Sequence, residues 1–164
     1  MSLDAVSISR LMSKNVIIAE QNQNVYWICK LLSQNNVGCL IVVNDLDEKK
    51  PVGIVTESDI VKTIGKLDLH QLQVPIKNHM SHPVITMPVS GTVTDAMRIM
   101  CEKRVRRIVI IENDKMVGIV TDKDLLKFMI DNKDVLSEFM TLSPRENMPK
   151  EDSSHFWFCN RYVG

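Results

Sequence analysis

The sequence predicts an α/β (α+β) fold in which two β-α-β-β-α repeats, related by a pseudo-twofold axis, form one compact module. Two observations predict it. The segment G-I-V-T-x-x-D occurs twice, at residues 53–59 and 118–124, and an apolar segment precedes each copy. Upstream of these copies the chain aligns on itself at an offset of 68 residues, which pairs Ile8 with Ile76. This is the pattern of a duplicated unit that is too long for a solenoid repeat.

Each unit begins with a short extended piece, at residues 16–18 or 84–86. A helix with apolar residues at helical spacing follows. In the second unit Thr92 can cap this helix, and Asp95 sits at its third position, which is the arrangement of a capping box. The two copies therefore predict the same strand-to-helix beginning.

Two strands joined by a polar turn, and then a second helix, complete each unit. The strands are predicted at residues 37–43 and 52–55 in the first unit and at residues 105–111 and 117–120 in the second. Because these strands are continuously apolar, helices should cover one face of each sheet and the other repeat should cover the second face. The second helix begins at Thr56 or Thr121.

Composition limits the classes of protein that this chain can be. Its hydrophobic content of 45% is that of a packed globular protein, and its 20 basic and 20 acidic residues cancel. A balanced charge argues against a nucleic-acid or anionic membrane partner. Three of the four cysteines lie in apolar segments, which is typical of buried free thiols. We expect a soluble, reduced, cytoplasmic protein without a membrane span or a secretion signal.

The repeated Thr-x-x-Asp, formed by Thr56 with Asp59 and by Thr121 with Asp124, has two interpretations. In the structural one it caps a helix, because the Thr hydroxyl bonds a backbone N–H and the Asp is favoured by the helix dipole. In the functional one the helix N-terminus binds an anion, and the Asp accepts hydrogen bonds from ribose hydroxyls. The two interpretations are compatible.

The order of elements, the duplication and the repeated G-h-h-T-x-x-D ending together resemble a pair of cystathionine-β-synthase (CBS) domains, the tandem unit called a Bateman module. The resemblance assigns residues 8–66 to the first repeat and residues 74–130 to the second, and leaves residues 131–164 as a C-terminal helix and aromatic tail. It implies a regulatory module rather than an enzyme, with no catalytic cofactor. The implied ligands contain adenosine (AMP, ADP, ATP or S-adenosylmethionine), and the implied partners are a second copy, bound through the helices, and an unknown effector protein.

The resemblance also implies two clefts, each shared between the repeats. Cleft A would combine Thr56 and Asp59 with Val84, Ile85, Val105, Arg106 and Arg107. Cleft B would combine Thr121, Lys123 and Asp124 with Ile17, Ile18, Val37, Gly38 and Cys39. In both clefts the Asp would hold ribose hydroxyls, and the apolar residues would sandwich the base.

The two predicted clefts differ in charge. The second repeat carries Arg106 and Arg107 where the first carries Gly38 and Cys39. Because a guanidinium offers several fixed donors to phosphate, we expect cleft A to take the more phosphorylated ligand. The structural alternative is that these arginines are solvated charges at the entrance to a strand.

Other functions have weaker support in the sequence. His79 with His82, and His155 with Cys159, have the spacing of paired metal ligands, but no C-x-x-C knuckle accompanies them, so we expect no zinc site. No catalytic motif indicates an enzyme. The main alternative is a constitutive structural or dimerisation module without a ligand.

The aromatic tail has two interpretations as well. It holds half of the chain's aromatic residues, Phe156, Trp157, Phe158 and Tyr162. The tail is either a disordered or folded-back end, or an anchor for a partner or a second protomer.

Overall fold

The computed structural model describes residues 6–66 and 72–132 and shows the mixed α/β fold that the sequence predicts. The first repeat contains β1 (Ile18–Glu20), α1 (Val25–Asn35), β2 (Cys39–Val43), β3 (Pro51–Thr56) and α2 (Glu57–Ile64). The second contains β4 (Thr86–Pro88), α3 (Val93–Lys103), β5 (Arg107–Glu112), β6 (Lys115–Thr121) and α4 (Asp122–Asp131). Both therefore have the order β-α-β-β-α. The predicted aromatic tail lies outside the described residues.

The two repeats form separate three-stranded sheets with the same topology. In the first, β1 pairs with β2 in parallel and β2 pairs with β3 antiparallel, and the second sheet repeats this with β4, β5 and β6. Each antiparallel pair has a register shift at an equivalent place, between Val42 and Val43 and between Ile110 and Ile111. The duplication is thus preserved even in an irregularity of the ladder.

The central strands begin two residues later than the apolar pattern predicts, at Cys39 and Arg107. The reason is the way in which the preceding helix ends. Asn36 adopts a left-handed conformation (φ 51°), and the backbone N–H of Val37 donates to the carbonyl of Leu32 over 3.2 Å. This is the bond of a Schellman ending, so Val37 closes α1 instead of opening β2. Val105 closes α3 in the same way by donating to Met100 over 3.1 Å.

The first strands also lie two residues further along than predicted, at Ile18–Glu20 and Thr86–Pro88. The first hydrogen bond of each parallel pair is accepted by the residue before the strand. The carbonyl of Ile17 accepts from the backbone N–H of Ile41, and the carbonyl of Ile85 accepts from that of Val109, both over 3.0 Å. The residues before these carbonyls are not part of the parallel ladder. Periodicity locates such short strands poorly, because pairing and not burial defines their ends.

Each sheet is covered on both faces, as the continuous apolar strands predicted. Leu40 and Val42 of β2 pack with α1 and α2 in the core of the first repeat. Ile41 and Val43, which alternate with them, pack against Val109 of the other sheet. Strands that are buried on both faces need apolar residues at every position, which explains why β2 and β5 lack the alternation of a half-exposed strand.

The segment that precedes the first strand of each repeat packs into the opposite repeat. We call residues 6–13 the first leader and residues 74–81 the second leader. Val6 and Ile8 are fully buried in the core of the second repeat, and Ile76 is fully buried in the core of the first. Backbone hydrogen bonds fix this exchange, since Val6 accepts from Val93 over 2.9 Å and Val74 accepts from Val25 over 3.1 Å. Each repeat therefore depends on the other's leader to complete its core.

The leaders also explain the glycine of the repeated motif. The second leader's Met80 lies over Gly53, and the first leader's Met12 lies over Gly118. A side chain on Gly118 would meet Sδ of Met12 and the carbonyl oxygen of Ser13, both at 2.9 Å. Glycine is required here because the exchanged leader approaches the strand so closely.

Three smaller findings bear on the sequence predictions. Cys29 and Cys39 are half-buried and Cys101 is exposed, so the prediction of buried thiols was wrong for Cys101, which faces out from the end of α3.

None of the described helices is both long enough and apolar enough to span a membrane. Within residues 6–66 and 72–132 no three His, Cys, Asp or Glu side chains group as metal ligands. The pair of His155 and Cys159 lies outside the described residues.

The leader contact gives a stability prediction. Gly118→Ala should lower the free energy of unfolding by about 1–3 kcal/mol, because the new methyl group overlaps the Ser13 backbone as well as Met12. Gly53→Ala should cost less, because its close neighbours are all atoms of the Met80 side chain, which can rotate away. Urea denaturation measures both changes.

Gly65→Ala is the matched control for these variants. Gly65 ends α2 with φ −65°, and an added methyl group would have ordinary contacts there, the nearest at 3.4 Å. A Gly118→Ala variant with the same urea midpoint as Gly65→Ala would contradict the leader contact.

Candidate ligand-binding site

The two repeated Thr-x-x-Asp segments form capping boxes with nearly identical geometry. In α2, Oγ1 of Thr56 accepts from the backbone N–H of Asp59 over 3.2 Å, and Oδ2 of Asp59 accepts from the backbone N–H and hydroxyl of Thr56 over 2.9 and 2.7 Å. In α4 the corresponding distances between Thr121 and Asp124 are 3.3, 2.8 and 2.7 Å. The structural interpretation of the motif is therefore correct for both copies.

A third capping box shows what is particular to these two. Thr92 and Asp95 cap α3 with the same pattern, but Oδ1 of Asp95 is also paired with Arg98. Within the described part of the chain, nothing donates to Oδ1 of Asp59 or of Asp124. Both residues are only half-buried, and because the cap uses Oδ2 alone, each aspartate keeps Oδ1 as an acceptor. Such a carboxylate can cap its helix with one oxygen and at the same time accept a hydrogen bond from a ligand hydroxyl with the other.

Arg107 reaches from the second repeat to the first. Its backbone opens β5 and lies opposite Thr121 in the antiparallel pairing. Its side chain extends to Gly38, where an added methyl group would lie 3.9 Å from Nη2 of Arg107 and 3.4 Å from Oε2 of Glu57. Arg107, Gly38 and Glu57 therefore border one small space, and Gly38 leaves it open to solvent.

Backbone pairing holds this corner in place. The N–H of Glu57, the first residue of α2, donates to the carbonyl of Gly38 over 3.2 Å, and Cys39 lies opposite Thr56 in the sheet. Burial raises the pKa of the Cys39 thiol, and the nearby Arg107 guanidinium opposes this shift by favouring the thiolate. The Glu57 carboxylate adds a small further rise to the pKa of Cys39. The charges of Arg107 and Glu57 thus act on the same half-buried thiol.

Residues predicted for different clefts meet at this corner. Gly38 and Cys39 were assigned to cleft B and Arg107 to cleft A, yet the Arg107 side chain lies beside both of them. The cause is the pseudo-twofold axis, which brings the equivalent positions 39 and 107 of the two repeats close together. The assignment of each residue to a cleft stays a prediction.

The apolar candidates divide between two environments. Ile18, Cys39 and Val84 pack on the cluster between the two sheets, where residues of both repeats meet. The others pack on the helix-covered core of their own repeat: Ile17 and Val37 in the first, Ile85 and Val105 in the second. All of them are half-buried, so each keeps some accessible surface.

The polar candidates differ in exposure. Lys123 is exposed on the first turn of α4, and Arg106 is half-buried, with its carbonyl accepting from the backbone N–H of Asp122 over 3.1 Å. Sequence reasoning missed Glu57, because it treated the positions between Thr and Asp as variable. The available signal was that both motif copies have an acid directly after Thr, Glu57 in one and Asp122 in the other.

Comparison with curated proteins finds relatives in archaea. MJ1404 of Methanocaldococcus jannaschii, described as an uncharacterized protein, is 32% identical in an alignment of 138 residues that covers 77% of this chain and 32% of that protein. MK0525 of Methanopyrus kandleri, also described as uncharacterized, is 32% identical over 124 residues, 75% of this chain and 62% of that protein. The chain therefore spans less than two thirds of the length of either relative.

Solved structures share the fold over most of the chain. The CBS domain pair of protein MJ0100, in complex with 5′-methylthioadenosine and S-adenosyl-L-methionine, is 26% identical with a TM-score of 0.65, covering 77% of this chain and 97% of that one. PAE2072 from Pyrobaculum aerophilum, complexed with AMP, has a TM-score of 0.68 and covers 83% of this chain and 99% of that one. At 22% identity, PAE2072 is similar in fold alone.

The position of Arg107 can be tested without any ligand. Arg107→Ala should raise the pKa of the Cys39 thiol further, because the guanidinium now stabilises the thiolate. The pH at which alkylation of Cys39 is half-maximal, followed by peptide mass spectrometry, should therefore move upward. The same profile for Cys101 is an internal control, because partial desolvation by its neighbours and the charge of Glu102 raise its pKa without a contribution from an arginine. An unchanged Cys39 profile would contradict the contact.

A family comparison agrees with the duplicated fold. The family model described as CBS domain matches residues 8–66 and residues 76–131. These two matches cover most of the chain and coincide with the two β-α-β-β-α repeats. This chain belongs to the CBS domain family and contains two copies of the domain.

Proposed function

We propose that this chain is a regulatory module that binds an adenosine-containing nucleotide between its CBS repeats and modulates a partner protein in response. One observation carries the proposal: Asp59 and Asp124 each cap a helix with one carboxylate oxygen and keep the other available. The available oxygen occurs in both copies of the motif, whereas the corresponding oxygen of Asp95 is paired with Arg98. The proposed ligand uses these oxygens.

The chemistry of a nucleotide suits the groups at this boundary between the repeats. Ribose carries two adjacent hydroxyl groups that donate to a carboxylate, and Oδ1 of Asp59 or Asp124 can accept from them. Arg107 offers a guanidinium to a phosphate near the N-terminus of α2. The base would contact the half-buried apolar side chain of Val84 in cleft A, or that of Ile18 in cleft B. The bound ligands of MJ0100 support the class, since both contain adenosine.

A module of this kind acts by changing shape rather than by chemistry. Ligand binding can change partner affinity only if the ligand binds two conformations unequally. The exchanged leaders connect the cores of the two repeats, so a shift of one repeat against the other is transmitted through them. The regulated partner would be a segment of a longer polypeptide or a separate protein. A nucleotide sensor of this kind would act in the cytoplasm.

The second candidate function is a structural module without a ligand. The capping boxes favour it, because they account for Thr56, Asp59, Thr121 and Asp124 by helix stability alone. The box of Thr92 and Asp95 shows that this chain also uses the arrangement outside the predicted clefts. The two candidate functions differ in what substitution of Asp59 or Asp124 should change. In a structural module only the stability falls, whereas in a ligand-binding module the ligand-induced shift is lost as well.

A thermal-shift panel separates these candidates. AMP, ADP, ATP, S-adenosylmethionine and NAD are tested against the unmodified protein, and a ligand at 100 times its Kd should add about 2.7 kcal/mol of stability. Asp59→Ala, Asp124→Ala and the matched control Asp95→Ala should each cost about 1 kcal/mol through the lost cap. Only Asp59→Ala or Asp124→Ala should also abolish the ligand-induced shift.

The outcomes of the panel are distinct. A shift that disappears in one variant alone identifies the aspartate that binds the ligand. A shift that persists in both motif variants, or disappears equally in Asp95→Ala, would contradict ribose binding by these carboxylates. No shift with any nucleotide would favour the structural module.

The proposal includes a homodimer that forms through the helices. Among the residues that the structure describes, five large apolar side chains on three helices are exposed: Tyr26 and Trp27 on α1, Val61 and Ile64 on α2, and Ile130 on α4. Val61 is 70% exposed although it lies in the middle of α2. Exposed apolar side chains grouped on helices are typical of a surface that meets a partner.

Light scattering after gel filtration tests the dimer. Val61→Glu should shift the mass toward the monomer, because it places a charge in an apolar contact, and it should leave unfolding unchanged, because Val61 is exposed. Lys115→Glu, at an exposed position on β6, is the control and should keep the dimer mass. A dimer mass that survives Val61→Glu would place the interface elsewhere.

A further inference from the structure

The small space at Gly38 holds two opposite charges that do not form an ion pair. Glu57 Oε2 and Arg107 Nη2 both lie within 4 Å of the position that a methyl group on Gly38 would occupy. Among the described residues, the ion pair that the structure records is that of Arg98 with Asp95. The Arg107 guanidinium therefore keeps donors for a ligand, while a carboxylate stands beside the place where an anion would bind.

We propose that Glu57 is a specificity-determining residue that limits the number of phosphates the site accepts, so that a nucleoside monophosphate binds in preference to a triphosphate. The inference rests on the proposed function and narrows its ligand class. It replaces the sequence-based expectation that cleft A takes the more phosphorylated ligand with the opposite preference.

Two interactions of different range act on a phosphate chain bound at this corner. The first phosphate takes the donors of Arg107 directly, and such charge-assisted hydrogen bonds are short and strong. One guanidinium cannot contact every phosphate of a longer chain. The repulsion from Glu57 acts over a longer distance, however, and grows with each added negative charge. Additional phosphates therefore gain little from Arg107 and are still repelled by Glu57.

The other charged groups near this corner do not remove the repulsion. Asp59, one turn into α2, is also negative, and its Oδ2 is engaged in the cap. Arg106, the residue before Arg107, is the second arginine near this corner and is half-buried. Since two acids and two arginines are present, the local charge is near zero. A site without excess positive charge favours ligands of low negative charge.

The glycine at this corner is specific to the first repeat. The equivalent position in the second repeat carries a long side chain, because Arg106 stands where the first repeat has Gly38. Asp122 stands where the first repeat has Glu57, and it also begins a helix. Asp122→Asn therefore removes the same kind of charge from an equivalent helix start without changing the corner at Gly38.

Calorimetric titration in the presence of EDTA tests the proposal with adenosine, AMP, ADP and ATP. The unmodified protein should bind AMP more tightly than ATP. Glu57→Gln should raise the affinity for ATP about three- to tenfold, raise that for AMP less, and leave that for adenosine unchanged. Arg107→Gln should weaken the three phosphate-bearing ligands and spare adenosine. Asp122→Asn should leave the ratio of AMP affinity to ATP affinity as it is in the unmodified protein.

The outcomes distinguish this inference from the function on which it rests. If no variant binds any of the four compounds, the proposed function fails and the inference fails with it. If the nucleotides bind but Glu57→Gln leaves the ratio of AMP to ATP affinity unchanged, or Asp122→Asn changes it equally, the inference alone is overturned. Tighter binding of ATP than of AMP by the unmodified protein would also overturn it.

Discussion

The exchange of leader segments is the constraint on which the rest of the structure depends. Ile8 is buried in the core of the second repeat and Ile76 in that of the first, so neither core is complete without the other half of the chain. The same leaders continue over Gly118 and Gly53, three residues before the motif threonines, and their backbones pair with Ile119 and Ile54. The contact that joins the repeats thus also positions the helix starts where the candidate site lies.

The capping boxes show that a structural role and a binding role need not exclude each other. A carboxylate has two oxygens, and the cap uses Oδ2 of Asp59 and of Asp124. At Asp95 the second oxygen is instead paired with Arg98. Identical motifs in one chain can therefore differ in their capacity to bind, and the difference depends on a neighbour one helical turn away.

The charged corner at Gly38 arises from differences between the repeats within a conserved framework. Glycine at position 38 opens a space, arginine at position 107 crosses to it from the other sheet, and Glu57 borders it from the start of α2. The two repeats have equivalent positions at this corner, but the first has glycine where the second has Arg106. The corner at Gly38 is bordered by one acidic and one basic side chain. Ligand choice in such a module can change through a single side chain while the fold is kept.

The sequence by itself determined what is local or repeated: the order of elements, the buried strands, and the three capping boxes, whose partners are three residues apart. It missed the true starts of β2 and β5, because the Schellman bond of Val37 and Val105 belongs to the preceding helix. Only the tertiary structure decided which leader enters which core, and that Arg107 lies beside Gly38, Cys39 and Glu57. These residues are far apart in the chain, and their distances depend on how two sheets pack across the pseudo-twofold axis, which no local pattern encodes.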